Sequence, residues 1–202
     1  HRTKASFDGD SFERETLTKL GVPFEVLDPA EFSKIEPNIK PIYYKALKLS
    51  SSARVTDPGA VVAGYAAGFV AAGGTFINGD AASLKQISGG WEVAGVTAKD
   101  VVFALGPWAP NLLKPLGYNF PIGLKRGYHQ HFKAGAPMNH AIVDADVGYV
   151  MGSCTNGIRI TTGAEFAAQN APKNPVQIAR VLPFARELFP IGEASEAEAW
   201  LG

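Results

Sequence analysis

Lys125-Arg126-Gly127-Tyr128-His129 places positive charge and hydrogen-bonding tips on alternate faces of a strand-like run. A guanidinium and a phenol can both donate to a carboxylate, so Arg126 and Tyr128 are candidates for holding an anionic ligand. Charges on a solvated strand are the competing explanation. His129 and His131 have no Cys, Asp or Glu neighbour at metal-ligand spacing, so no metal site is expected. A second chemical feature is Asp100 to Trp108, DVVFALGPW, in which a polar entry residue and a run of apolar residues lead into Leu105-Gly106-Pro107-Trp108. Such a run reads as a short buried strand that surfaces at a tight turn. Gly106 has no Cβ to hold off a ligand phosphate or ribose, which makes Ala104, Leu105, Gly106 and Trp108 candidate ligand contacts. The alternative is an ordinary strand-to-helix turn, with Pro107 starting the helix and Trp108 anchoring it in the core.

These residues need elements to position them. Gly9 to Leu20 reads as a helix, Phe24 to Leu27 as a strand, and Asp28-Pro29 as the capped start of a second helix that Glu36-Pro37 ends. Ile42 to Leu49 reads as a strand. Asp57-Pro58 opens the strongest helical pattern, running to Ala72 with Val61, Val62, Tyr65, Phe69 and Val70 on one face. Phe76-Ile77 is expected as a parallel strand, and Leu84 to Ile87 with Trp91 to Val96 as a hairpin around Ser88-Gly89-Gly90. The sheet containing Val101 to Ala104 should pack on the long helix. Pro110 to Leu116 reads as a short helix. Phe120 to Phe132, Ala141 to Asp144, Tyr149 to Met151 and Ile158 to Thr162 then alternate as strands of a larger sheet. Pro175 to Phe189 closes as an amphipathic helix facing inward through Val176, Ile178, Ala179, Leu182, Ala185, Leu188 and Phe189, with Pro183 expected to kink or split it.

Composition narrows the function classes. With 202 residues, 46% of them hydrophobic, the chain can bury a full core as one domain or one and a half. Nineteen basic residues balance nineteen acidic ones, so bulk charge asks for neither a nucleic acid nor an anionic membrane. The single cysteine, Cys154, excludes an internal disulfide and suits a reducing cytoplasm. No apolar run is long enough to span a membrane.

The order of these segments resembles the amino-acid-oxidising branch of the FAD-dependent oxidoreductases, the family of D-amino acid dehydrogenase and glycine oxidase. The resemblance rests on GGTFINGDAASL, on DVVFALGPW as a "V(V)-x-A-x-G-x-W" strand and turn, on the KRGY strand, and on RITTGAEF as an "R-(I/V)-x-x-G-x-x-E-F" strand. It implies an α+β chain made of part of an FAD-binding domain, a mixed sheet with a helix, and a larger antiparallel or mixed substrate sheet. Residues 1–52 and 118–202 would belong to the substrate domain and 53–117 to the FAD-binding part. It implies FAD as cofactor, Ala82 as a backbone contact to the adenine, Tyr149 over the substrate carboxylate together with Tyr128 and Arg126, and Glu165 supporting them or ending its strand. The family's GxGxxG unit has no counterpart at the N-terminus, so the chain reads as an internal piece, and by itself it is expected to bind FAD weakly or not at all. The implied reaction moves a hydride from Cα of a small amino acid to the flavin. Oxidation of a 2-hydroxy acid on the same scaffold, or binding without turnover, stays open, as does peripheral contact with an inner membrane.

Overall fold

A computed structural model describes the chain from His1 to Gly202. Helices α1 (Lys4–Gly9) and α2 (Ser11–Lys19) lead into strand β1 (Phe24–Leu27), helix α3 (Pro29–Ile35) and strand β2 (Ala46–Leu49). Helix α4 (Pro58–Ala71) precedes strands β3 (Lys85–Ile87), β4 (Gly90–Val93) and β5 (Val96–Ala98) and the short helix α5 (Ala109–Leu113). The remainder comprises β6 (Arg126–Ala134), β7 (Ile142–Asp144), β8 (Tyr149–Cys154), β9 (Gly157–Glu165), α6 (Val176–Leu188), β10 (Ile191–Ala194) and β11 (Trp200–Leu201). Helices combined with antiparallel sheets make this the expected α+β class. Two compact units share the chain: His1–Pro58 with Lys125–Gly202, and Gly59–Leu124.

The first unit is built on a six-stranded sheet of order β10-β6-β9-β8-β7, in which β11 also pairs with β6. Alternation along the strands sends Tyr128 and Phe132 of β6, Tyr149 and Met151 of β8, and Ile158 and Ile160 of β9 into one core. Helix α6 covers that face with Ile178, Val181, Ala185 and Leu188, and Phe32 and Ile39 join the same cluster. Val176, expected inward, is half exposed, while Val181, not expected there, is buried. Pro183 leaves α6 in one piece: the bond it forfeits is outweighed by a face that is buried on both sides of it.

Local chemistry accounts for the N-terminal elements. Asp28 accepts the Glu31 N–H and Glu31 accepts the Asp28 N–H, a reciprocal cap behind Pro29 that stabilises α3 by about 1 kcal/mol. At the other end of α3, Glu36 is fully buried and accepts from both the backbone N–H and the ring Nδ1 of His140, tying the helix to the loop before β7. Gly9 to Leu20 is not one helix: α1 starts at Lys4 behind a Thr3 cap and breaks at Asp10, where ψ turns to 22°. Only Ala46–Leu49 of the expected Ile42–Leu49 strand pairs, because β1 is four residues long. Likewise β6 begins at Arg126 rather than Phe120, since β9 ends at Glu165, the partner of Arg126, and nothing continues the ladder beyond it.

In the second unit β3, β4 and β5 form a meander. The expected Trp91–Val96 strand is two strands joined by Ala94-Gly95, both at positive φ (49° and 78°), the two-residue turn whose twist matches a hairpin. Neither Phe76-Ile77 nor Val101 to Ala104 is a strand; both run without regular structure. An extended segment becomes a strand only when a neighbour takes its backbone hydrogen bonds, and no segment of this unit offers them a ladder. The expected packing of α4 on such a sheet is absent for the same reason. No residue of α4 is buried, and Tyr65 is 80% and Val62 68% exposed. Phe69 instead folds back edge-on to Phe76, with ring centroids 5.0 Å apart.

Candidate functional site

The two faces of the six-stranded sheet carry different chemistry. On the covered face, Arg126 and Tyr128 do share a carboxylate, and it belongs to their own chain. Glu165 Oε2 accepts from Arg126 Nε at 3.0 Å and from the Tyr128 hydroxyl at 2.9 Å. Arg126 Nη2 reaches the Tyr128 oxygen at 3.0 Å, and the guanidinium also donates to the carbonyls of Ala168, Ala171 and Pro172. The Asn174 N–H donates to the Tyr128 hydroxyl at 2.7 Å. Every direction of this guanidinium is taken, and the set clasps the segment between β9 and α6 to the sheet. Arg126 is 6% and Tyr128 1% exposed.

Tyr149 lies on the same face at 1% exposure, paired across the ladders with Asp144 and Thr162. Its hydroxyl is shut away from solvent beside Asp144 and Arg2, without a hydrogen bond of good geometry to either. Burial first, and the Asp144 charge second, push its pKa well above the usual phenol value. Arg2 is itself engaged by Asp144 at 2.9 Å and Glu187 at 3.0 Å. The structure therefore brings Arg126 and Tyr128 together but leaves Tyr149 in a separate cluster, and none of the three opens onto solvent.

On the uncovered face the register builds rows of side chains across strands. Trp200 pairs with His129, His129 with Thr161, Thr161 with Val150 and Val150 with Val143. In the next row His131 pairs with Arg159 and Arg159 with Gly152. The Trp200 ring stacks on His129 at 4.7 Å, His131 meets His129 edge-on at 5.3 Å, and Arg159 Nη2 lies 3.1 Å from His129 Nδ1. A guanidinium can only donate, so Nδ1 accepts and the proton of His129 sits on Nε2. Desolvation, then the charges of Arg159 and His131, lower the His129 pKa to about 4 against a smaller opposing pull from Glu196. Glu196 holds His131 from outside, accepting its backbone N–H at 2.9 Å and lying 2.6 Å from its Nδ1, in the gap that β10 and β11 leave along the edge of β6. No group of three or more His, Cys, Asp or Glu side chains comes together to hold a metal.

Sequence reasoning passed over this second cluster. His129 reads from sequence as part of the Lys125–His129 run and His131 only as a residue without metal-ligand spacing, and Arg159 and Trp200 lie too far away in sequence to be grouped with them. Alternation along RITTG was the one available signal, since it puts Arg159 opposite to Ile158 and Ile160.

In the second unit, Gly106 adopts φ 52° with open space where a Cβ would stand. Val101 to Leu105 approach it with no ladder partner, and Trp108 stands 60% exposed while the next residue, Ala109, is the buried one. Ala82 sits in a tight turn, Ala81–Ser83, where its N–H donates to Asp80 Oδ1 at 2.8 Å.

Residues 5–202 match the profile of the family described as FAD dependent oxidoreductase. A D-amino acid dehydrogenase of Allorhizobium ampelinum is 26% identical over all of this chain and 50% of its own length. Among solved structures, glycine oxidase from Geobacillus kaustophilus superposes with a TM-score of 0.83 at 17% identity, over all of this chain and 56% of that one. L-proline dehydrogenase from P. horikoshii gives 0.68 at 14% identity, over all of this chain and 57% of that one. The chain spans about half the length of these relatives. The match of that family profile over residues 5–202, nearly the whole chain, places it in the FAD-dependent oxidoreductase family.

Proposed function

We propose that the protein carrying this chain oxidises the Cα–N bond of a small amino acid. The observation that carries this reading is the family match over residues 5–202, and similar proteins are a D-amino acid dehydrogenase, a glycine oxidase and a proline dehydrogenase. FAD, when bound, supplies the hydride acceptor for this reaction. The residues present fit such a group. Gly106 leaves the space a Cβ would fill, and the backbone of Ala104 and Leu105 is free of any ladder, so both can face a ribose or phosphate. Trp108 offers an exposed ring beside them. Ala82 would contribute its carbonyl, because its N–H already serves Asp80.

The chain's own residues orient and desolvate. The Arg126, Tyr128 and Glu165 clasp fixes the sheet and the segment that follows β9, and Tyr149 packs its covered face. Their work in this reading is to hold the sheet rigid, which keeps reacting atoms within bonding reach. Direct contact between a substrate carboxylate and Arg126 would require Glu165 to be displaced. The test is turnover by the full-length protein reconstituted with FAD, offered D-alanine, glycine, L-proline and D-lactate. Oxidation of one or more of the amino acids is expected, and oxidation of lactate alone would replace the reading with 2-hydroxy acid oxidation.

A further inference from the structure

The chain holds two Asn-Gly pairs, Asn78-Gly79 and Asn156-Gly157, and the fold treats them differently. An asparagine followed by glycine is open to attack by the next backbone nitrogen on its own side-chain amide. Glycine has no Cβ to shield that nitrogen or to restrict the rotation that brings it over Cγ. Asn156 is held. Thr155-Asn156 is the two-residue turn of the β8–β9 hairpin, and Cys154 pairs with Gly157 as its last rung. The Thr155 N–H donates to the Thr56 carbonyl at 3.1 Å, the Asn156 carbonyl accepts from Ser195 Oγ at 3.4 Å, and a Cβ on Gly157 would strike the Phe132 carbonyl. The Gly157 nitrogen reaches Asn156 Cγ after the end of the ladder has opened, and not before. Asn78 and Gly79 lie exposed in a span of the second unit without regular structure. That span is anchored on both sides: Phe76 packs edge-on to Phe69, and Gly79 passes so near Ala94 that a Cβ on it would strike the Ala94 methyl. Between the anchors, neither the Asn78 side chain nor the Gly79 N–H has a hydrogen-bond partner in the chain. The Ala94 contact also requires that a glycine follow Asn78.

We propose that Asn78 is a site of spontaneous modification, converted to isoaspartate and aspartate through a cyclic imide with water as the one co-reactant. The Gly79 nitrogen gives its proton to solvent and bonds to Asn78 Cγ. The Cγ–Nδ2 bond breaks, and ammonia leaves with a proton returned from solvent. Water then adds to one of the two imide carbonyls. Opening at the main-chain carbonyl of residue 78 reroutes the chain through Cβ and Cγ and leaves the α-carboxylate as the side group, which is isoaspartate. Opening at Cγ gives aspartate. Either product puts a carboxylate two residues before Asp80, and isoaspartate also adds a methylene to the main chain. Asp80 holds the turn that follows: its Oδ1 accepts the Ala82 N–H at 2.8 Å, and its carbonyl accepts the Ser83 N–H at 3.0 Å and the Ser83 hydroxyl at 2.6 Å. Ser83 Oγ in turn accepts the Ala94 N–H at 2.9 Å, beside the point where Gly79 meets Ala94. A like charge next to Asp80 and a longer main chain both act against this set, so conversion loosens the Ala81–Ser83 turn. None of these steps depends on the reaction proposed above.

The test incubates the full-length protein at neutral pH over days to weeks and maps its peptides by mass. Isoaspartate is marked by a carboxyl methyltransferase that transfers a radioactive methyl group to it from S-adenosylmethionine. The peptide holding Asn78 is expected to show the mass change from amide to acid, to separate into two products of equal mass and to accept methyl groups. Its conversion should be at least about tenfold faster than that of the peptide holding Asn156, which waits on the opening of its hairpin. In the converted protein, amide exchange at Ala82 and Ser83 should quicken by roughly threefold or more. Asn78→Gln, which would have to close a larger ring, should suppress the methylation and keep that exchange at the level of fresh wild type. Should the variant fail to fold, the wild-type peptide map decides by itself. An Asn78 peptide that stays unconverted, or an Asn156 peptide that converts as fast, would overturn the site. Unchanged exchange at Ala82 and Ser83 after conversion would overturn its effect on the turn. Failure of the protein to oxidise any amino acid would leave these peptide results standing.

Discussion

At the scale of single residues, the covered face of the sheet holds two kinds of polar group. The Arg126, Tyr128 and Glu165 set is saturated, whereas the Tyr149 hydroxyl is buried without a partner, a state that costs about 1 to 3 kcal/mol. Tyr149→Phe removes that hydroxyl and keeps the ring, so the melting temperature of the protein is expected to hold or rise. Calorimetry checks it, and a fall of several degrees would mean the hydroxyl has a partner after all. His129 gives a second expectation, with a definite sign. Its folded-state pKa of about 4 lies below its ordinary value of 6.5, so between these values the unfolded chain binds more protons. This residue therefore contributes stability that is complete above pH 6.5 and is lost as pH falls toward 4. Melting temperatures of wild type and His129→Phe, compared across that window, should diverge in this sense, and parallel curves would remove the effect. The pair Arg126 and Tyr128 was readable from the sequence as a group that binds a carboxylate. That the carboxylate is Glu165 was not, because only the register of β6 against β9 puts those side chains within reach.

Elements were legible in the sequence where local chemistry specifies them and illegible where distant pairing does. Asp28, Pro29 and Glu31 announce α3, and Asp57-Pro58 announces α4, because caps and proline act within a turn of the chain. Val101 to Ala104 looked like a strand by composition, yet being a strand is a property of two segments, and the second is not present in this unit. The hairpin at Ala94-Gly95 was hidden by Ala94, which occupies a left-handed conformation that its Cβ disfavours. Replacing Ala94 by Gly relieves that strain and is expected to stabilise the meander by about 1 kcal/mol, after allowing for the extra freedom of glycine in the unfolded chain. Slower amide exchange in β4 and β5 would register the gain, and faster exchange would show that the turn is not strained.

For the whole molecule, the chain divides into a unit built on the six-stranded sheet and a smaller unit that carries the open glycine turn. Helix α4 has a further consequence, for colloidal behaviour. Its valines, Tyr65 and Phe69 lie open to solvent on a chain whose formal charge at pH 7 is zero and whose isoelectric point is about 7.1. An apolar patch draws copies together, and a molecule at its isoelectric point has no long-range repulsion to keep them apart. A solution of this chain should therefore scatter more light per unit mass as concentration rises near neutral pH. Scattering should fall at pH 9 or when Val62 and Tyr65 are both changed to lysine, while salt at pH 7, having no net repulsion to screen, should do little.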